Sequence, residues 1–172
     1  MKKLVAVLAV LALLLPALAL AAGQEPDFAT TLKAATRGDA KAQALLGKMF
    51  ADGVGTPKDD FKAVYWWTKA ASQGHRLAQY SLGLIYANGR GVEKDDTKAA
   101  QWFEKSAAQG YANAQYNLGV MYLNGRGVAR NPQKGCDLMG TAAARIFDER
   151  GDKTAMVEYI NVCKSLNPWK RR

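Results

Sequence analysis

The feature that most constrains this chain is an internal period of 36 residues. Ala42-Gln43, Ala78-Gln79 and Ala114-Gln115 recur at that spacing, as do Gly47, Gly83 and Gly119, then Gly53, Gly89 and Gly125, then Gly55, Gly91 and Gly127. A period of this length marks a supersecondary unit that buries its apolar face only by stacking on its neighbours, so the chain is expected to form an elongated array. One phase fits three units, residues 39–74, 75–110 and 111–146. A half-unit, residues 28–38, precedes them, its Ala34, Ala35 and Gly38 matching Ala70, Ala71 and Gly74.

Each unit divides into two helical patterns joined by a glycine loop. In the second unit Ala78, Leu82, Ile85 and Tyr86 lie at offsets 0, 4, 7 and 8, one side of a helix A. Ala99, Trp102, Phe103, Ser106 and Ala107 lie at offsets 0, 3, 4, 7 and 8, the stripe of a helix B, matched in the first unit by Ala63, Trp66, Trp67, Ala70 and Ala71. Between them Gly89-Arg90-Gly91 and Gly125-Arg126-Gly127 place two glycines where the chain must leave one helix through positive φ and reverse. Asp59, Asp95 and Asn131 supply helix B with side chains that accept from first-turn amides, and Pro132 stands where a helix tolerates it. Gly47, Gly83 and Gly119 sit inside helix A, where glycine costs about 1 kcal/mol against alanine, so their recurrence implies close approach by a neighbouring helix.

The run Ala78-Gln79-Tyr80-Ser81-Leu82-Gly83-Leu84-Ile85-Tyr86, followed by Gly89-Arg90-Gly91-Val92, Asp95, Lys98-Ala99, Trp102-Phe103 and Lys105-Ser106-Ala107-Ala108-Gln109-Gly110, resembles the Sel1-like repeats, relatives of the tetratricopeptide repeats. The first unit departs with Phe50 and Thr56 at the Tyr86 and Val92 positions, and the third replaces the aromatic pair by Leu138 and Met139. The resemblance covers about residues 28–146. It implies an all-α fold, a right-handed α-solenoid of three Sel1-like helix-turn-helix repeats with an N-terminal capping half-repeat and a C-terminal capping helix. It also implies a binding scaffold, many such proteins being exported or associated with the bacterial envelope.

Stacked hairpins curve and leave a concave face. A second stripe on helix A faces it: Leu77, Tyr80, Leu84, Ala87 and Asn88 in the second unit, Lys41, Ala44, Lys48, Ala51 and Asp52 in the first, Asn113, Tyr116, Val120, Leu123 and Asn124 in the third. Related repeats use this face for ligands, which nominates Lys48, Asp52, Leu77, Tyr80, Leu84, Asn88, Asn113, Tyr116 and Asn124 as partner contacts. Tyrosine offers a large ring with a hydroxyl, and an amide side chain can grip an extended backbone. Tyr80 and Tyr116 suit equally well the filling of space between adjacent units. A second candidate surface is the loop edge, where Lys58, Arg90, Lys94, Arg126 and Arg130 recur as a basic row that would attract an anionic envelope polymer; Asp59, Asp60, Asp95 and Asp96 beside it cancel part of that field.

The N-terminus reads as a secretory signal peptide, residues 1–22. Lys2 and Lys3 precede a run of 19 apolar residues broken by Pro16, and Ala19-Leu20-Ala21 offers small residues for cleavage near Ala21 to Gly23. An uncleaved anchor is the competing reading. Cleavage would leave 22 Lys plus Arg against 15 Asp plus Glu, a net charge of +7, and no later segment apolar enough to span a membrane. Export to the periplasm or beyond takes nucleic acid out of reach and leaves another envelope or secreted protein, or an anionic polymer, as partner. It also brings the two cysteines into an oxidising compartment. Cys136 falls on helix B of the third unit and Cys163 on a further amphipathic segment within residues 152–166, expected to cap the last repeat; a bond between them and two buried free thiols are both open.

Catalytic chemistry finds little support. One histidine, His75, and two cysteines exclude a multi-histidine or four-cysteine metal site, and no cofactor is implied. The paired Asp59-Asp60 and Asp95-Asp96 stand at helix starts, where carboxylates favour the amide ends. His75 has no partner motif and reads as a loop residue. Some cysteine-rich relatives bind or slowly hydrolyse β-lactams, so a cell-wall or β-lactam hydrolase is the alternative implied by the resemblance, but their cysteine pattern is missing from these repeats.

Overall fold

The computed structural model describes residues 27–166. The leader at residues 1–22 and the basic segment at 168–172 lie outside the described residues. Eight helices follow one another among the described residues, with no strand: α1 (Phe28–Thr36), α2 (Ala40–Asp52), α3 (Asp60–Ser72), α4 (Arg76–Asn88), α5 (Asp96–Ala108), α6 (Ala112–Asn124), α7 (Pro132–Arg150) and α8 (Thr154–Leu166). Substantial packing runs only between consecutive helices, from α1 on α2 through to α7 on α8. That nearest-neighbour progression is an α-solenoid. Helices α2, α4 and α6 are the A helices, and α3, α5 and α7 the B helices.

Local chemistry places the helix ends. Asp59, Asp95 and Asn131 accept from the backbone N–H of Lys62, Lys98 and Lys134 at 2.9, 2.9 and 3.0 Å. Each A helix ends on a left-handed glycine, Gly53, Gly89 or Gly125, at φ 73°, 70° and 68°. The loop then closes by one repeated bond, from the N–H of Asp59, Asp95 and Asn131 to the carbonyls of Phe50, Tyr86 and Tyr122. The second loop glycine has a different task. A Cβ on Gly91 would stand 2.9 Å from the Asp60 carbonyl, so glycine lets this loop rest on the first turn of the preceding unit's B helix.

The glycines inside the A helices meet large side chains of their own unit. A Cβ at Gly47 would lie 2.7 Å from the Trp67 ring, at Gly83 2.5 Å from Phe103, and at Gly119 2.7 Å from Met139. Trp67 also donates its indole N–H to the Ala44 carbonyl at 2.9 Å. The core is otherwise built from small residues, with Ala63, Ala70, Ala78, Ala99 and Ala114 fully buried around Leu46 and Leu82. Small side chains bring the helix axes close, and one bulky group per hairpin fills what remains.

The third unit departs from the period. Residues 111–146 were expected to end where Gly74 and Gly110 end the earlier units, but Ile146 stands at that position and offers no left-handed terminus. Helix α7 therefore continues to Arg150 and ends on Gly151 at φ 66°. Helix α8 then packs on α7, with Tyr159 against Gly140, and Cys136 and Cys163 form a disulfide with Cα atoms 5.6 Å apart.

Candidate functional site

Two kinds of contact hold successive units in register, and both bear on which surfaces remain open. Arg90 reaches Asp60 at 2.7 Å, and Arg126 reaches Asp96 at 2.7 Å, each linking a loop to the start of the previous B helix. The ion pair holds the Asp96 carboxyl below the usual carboxylate range. Arg130 donates to the Leu123 carbonyl at 3.0 Å. The three arginines of the cation row expected along the loop edge are thus engaged, whereas Lys58 and Lys94 stay exposed: the 36-residue translation brings the next unit's arginine onto the previous unit's aspartate. Asp59 and Asp95 are helix caps, and the amides they accept keep their carboxyls low as well.

The second contact is a glutamine relay. Gln43 and Gln79, both buried, donate to the Ala35 and Ala71 carbonyls at 3.1 and 3.2 Å. Their own side-chain oxygens accept from Gln73 and Gln109 at 2.8 Å, and these in turn also donate to the Gly38 and Gly74 carbonyls. In the third unit Arg145 takes the place of Gln73 and Gln109 and donates to the Gly110 carbonyl. Gln115 Oε1 is left buried without a hydrogen-bond partner among the described residues.

The expected helix A stripe is not one continuous groove. Lys48, Asp52, Leu77 and Tyr80 come together around a cleft of about 610 Å³ between the first two units, with Trp67 and Tyr111 completing its apolar wall. Lys41 and His75 stand at its rim, and Lys48 is paired with Asp52 at 2.5 Å. Leu84 and Asn88 lie beside a smaller hollow of about 120 Å³. Tyr116 and Asn124 border a separate cleft of about 500 Å³ whose far wall is Glu158 and Val162 of α8. Asn113 donates to the Tyr111 hydroxyl at 3.3 Å. Ala44 and Ala51, on the same stripe by spacing, are largely covered, Ala44 still forming part of the lining of the large cleft.

Tyr80 both packs and lines the large cleft. Its ring lies 5.0 Å from Tyr111 and 5.8 Å from Phe103, and its hydroxyl accepts from Asn117 at 3.5 Å. Burial, with the Tyr111 hydroxyl nearby, pushes its phenol up. Tyr116 donates its hydroxyl to Glu158, and burial together with that bond raises its phenol strongly. His75 is the N-cap of α4, its Nδ1 accepting from Ala78 N–H at 3.3 Å. Burial, then the charges of Lys41 and Arg76, lower its imidazole below the ordinary value near 6.5. Trp67, Tyr111 and His75 were not among the residues nominated from spacing; they come from helix B and the unit junctions, which a helix A periodicity does not sample.

Among the described residues no group of three or more His, Cys, Asp or Glu is placed to hold a metal ion, and no helix is long and apolar enough to cross a membrane. The shape offered is an apolar cleft with a charged rim, suited to holding a side chain or a short segment.

The family model described as Sel1 repeat matches residues 40–75, 76–111 and 112–145. Among solved structures, a Sel1 repeat protein from Oxalobacter formigenes is 35% identical, with 76% of this chain and 95% of that one aligned at a TM-score of 0.67. The protective antigen c5321 of uropathogenic Escherichia coli, which displays an SLR fold, is 32% identical over 83% of this chain at a TM-score of 0.69; the match spans 34% of that longer protein. Cysteine rich protein B of Helicobacter pylori is 26% identical over 75% of this chain and 95% of that one, at a TM-score of 0.57. No curated protein matches the chain in sequence. Three matched repeats, stacked hairpins and structural neighbours built the same way lead to one conclusion: the chain belongs to the Sel1 repeat family, whose members generally serve as protein–protein interaction scaffolds.

Proposed function

We propose that this protein is exported and acts as an adaptor in the bacterial cell envelope, holding a segment of another envelope or secreted protein against its A helices. The observation that carries this reading is the cleft between the first two units. Trp67, Tyr80 and Tyr111 converge there on a space of about 610 Å³, large enough for a bulky side chain, with Lys41 and the Lys48–Asp52 pair at its rim. Aromatic walls with a few polar groups are the composition of contact sites that dominate binding energy. The Cys136–Cys163 bond supports an oxidising compartment, as do the leader-like residues 1–22. The paired Arg90 and Arg126 count against the loop edge as a site for an anionic polymer. The capping and ion-paired roles of Asp59, Asp95 and Asp96 count against a hydrolase.

The test is quantitative capture from an envelope extract with wild-type protein, Tyr80→Ala and Tyr116→Ala. Loss of the same partners by Tyr80→Ala, with Tyr116→Ala retaining them, is the expected pattern. Equal retention by both variants would remove the cleft from the account.

A further inference from the structure

A different surface distinguishes the first unit from the other two. Phe61 and Tyr65, one helical turn apart on α3, are 76% and 53% exposed, while the rest of the large aromatic side chains of that helix pack inward. The repeat provides its own control. The positions equivalent to Phe61 are Thr97 and Gln133, and those equivalent to Tyr65 are Gln101 and Asp137; all four are exposed. Stacking therefore leaves both positions open to water in every unit and requires nothing apolar there. In the first unit they carry two rings that stay more than half exposed.

Lysines predominate among the charges around the rings. Lys69 stands one turn beyond Tyr65 on the same stripe, its ammonium 4.7 Å from the Tyr65 ring and 5.3 Å from Trp66, and Tyr65 meets Trp66 edge-on at 5.1 Å. Lys62 lies 5.4 Å over the Phe50 ring, and Lys58 precedes the helix cap. The two nearby carboxylates are engaged: Asp59 caps α3 and pairs with Lys62 at 3.3 Å, and Asp60 is held by Arg90. The patch is a convex helix face with two rings flanked by Lys58 and Lys69, so it has no concavity to receive a side chain. Rings that sink a few ångströms while lysines stay at the headgroups are the pattern of helices lying on anionic bilayers.

We propose that the outer face of α3 docks on an anionic phospholipid surface through Phe61 and Tyr65, with Lys58 and Lys69 against the headgroups. This contact is independent of the cleft and leaves it accessible, since Trp67 and the A helices that wall the cleft lie on other sides of the unit. The exported form, 22 Lys plus Arg against 15 Asp plus Glu, carries a net charge of +7 and is drawn to the same surface.

The experiment is co-sedimentation with vesicles of phosphatidylcholine alone and of phosphatidylcholine with an equal part of phosphatidylglycerol. The protein is produced through its own leader, so that the exported form is the one tested. The wild type should partition to the anionic vesicles, and added salt should weaken that binding. Phe61→Thr with Tyr65→Gln, which installs the second unit's residues at equivalent exposed positions, should lower the partition about tenfold or more. Thr97→Phe with Gln101→Tyr in that double variant should restore much of the loss, since Lys94 and Lys105 stand there in the places of Lys58 and Lys69. Equal binding to neutral vesicles, or wild-type binding by the double variant with an unchanged circular dichroism spectrum, would overturn the proposal. So would the absence of binding by the wild type, or binding to protein-coated but not protein-free anionic membranes.

Discussion

Between the first and second units the solenoid is joined by Arg90 on Asp60 and by Gln79 and Gln109 on the Ala71 and Gly74 carbonyls; between the third unit and α8 it is joined by the Cys136–Cys163 bond and by Tyr116 on Glu158. Both junctions must hold one layer of the stack in register with the next. The regular junction does so with polar contacts that the period regenerates at each step. The terminal junction interrupts the period, since α7 overruns by more than a turn, and a covalent link takes over where the polar contacts no longer meet. Regular repeats need only copied residues, whereas an end needs its own chemistry.

The sharpest way to break this comparison is to remove the bond. Cys136→Ser with Cys163→Ser should cost about 3.5 kcal/mol of stability by the loop-entropy estimate for a separation of 27 residues. Hydrogen exchange should show the loss concentrated in α7 and α8, with α2 to α5 still protected; uniform loss would mean that the terminal junction is no weaker than the others. Next in size is Gln109→Ala at the regular junction. It strands the buried Gln79 side-chain oxygen and should cost about 1–2 kcal/mol in denaturant unfolding. The reverse experiment sharpens the contrast: Arg145→Gln gives Gln115 Oε1 the donor that the earlier units have and should stabilise the protein by about 1 kcal/mol. A destabilised variant would show that Arg145 serves the junction between the second and third units in a way glutamine cannot.

The smallest effect is one of pH. His75 has a lowered folded-state pKa, so the unfolded chain binds the proton more readily, and stability should fall as pH drops through about 6.5 toward the lower folded value. Asparagine caps without titrating in this range, so His75→Asn should flatten the denaturation midpoint between about pH 5 and 7. The carboxylates with lowered pKa values act at lower pH and leave that window clear. At the regular Tyr111 cap, which makes no side-chain bond, no such dependence is expected.

Much of the fold was legible because it is local. A glycine that must adopt positive φ, an aspartate that caps three residues ahead and a stripe at 3.6-residue spacing all act within one or two turns, and copying them three times multiplies the signal. The candidate site was legible only in part. Tyr80, Leu77, Lys48 and Asp52 were found from the helix A spacing, and the structure puts them around one cleft. Trp67, Tyr111 and His75 were not, because no spacing within helix A points to a residue on helix B or at a unit boundary.

What the residues determined by themselves is the unit: where each helix begins and ends, which glycines admit a bulky neighbour, and that three such units must stack. Tertiary structure alone decided what happens between units. Arg90 meets Asp60 across 30 residues of chain and Gln109 meets the Gly74 carbonyl across 35, and α8 sets Glu158 against Tyr116 and divides the expected groove. Those pairings depend on how far each hairpin is displaced from the last, a distance set by the packing of alanines, glycines and one large side chain per unit rather than by any neighbour along the chain.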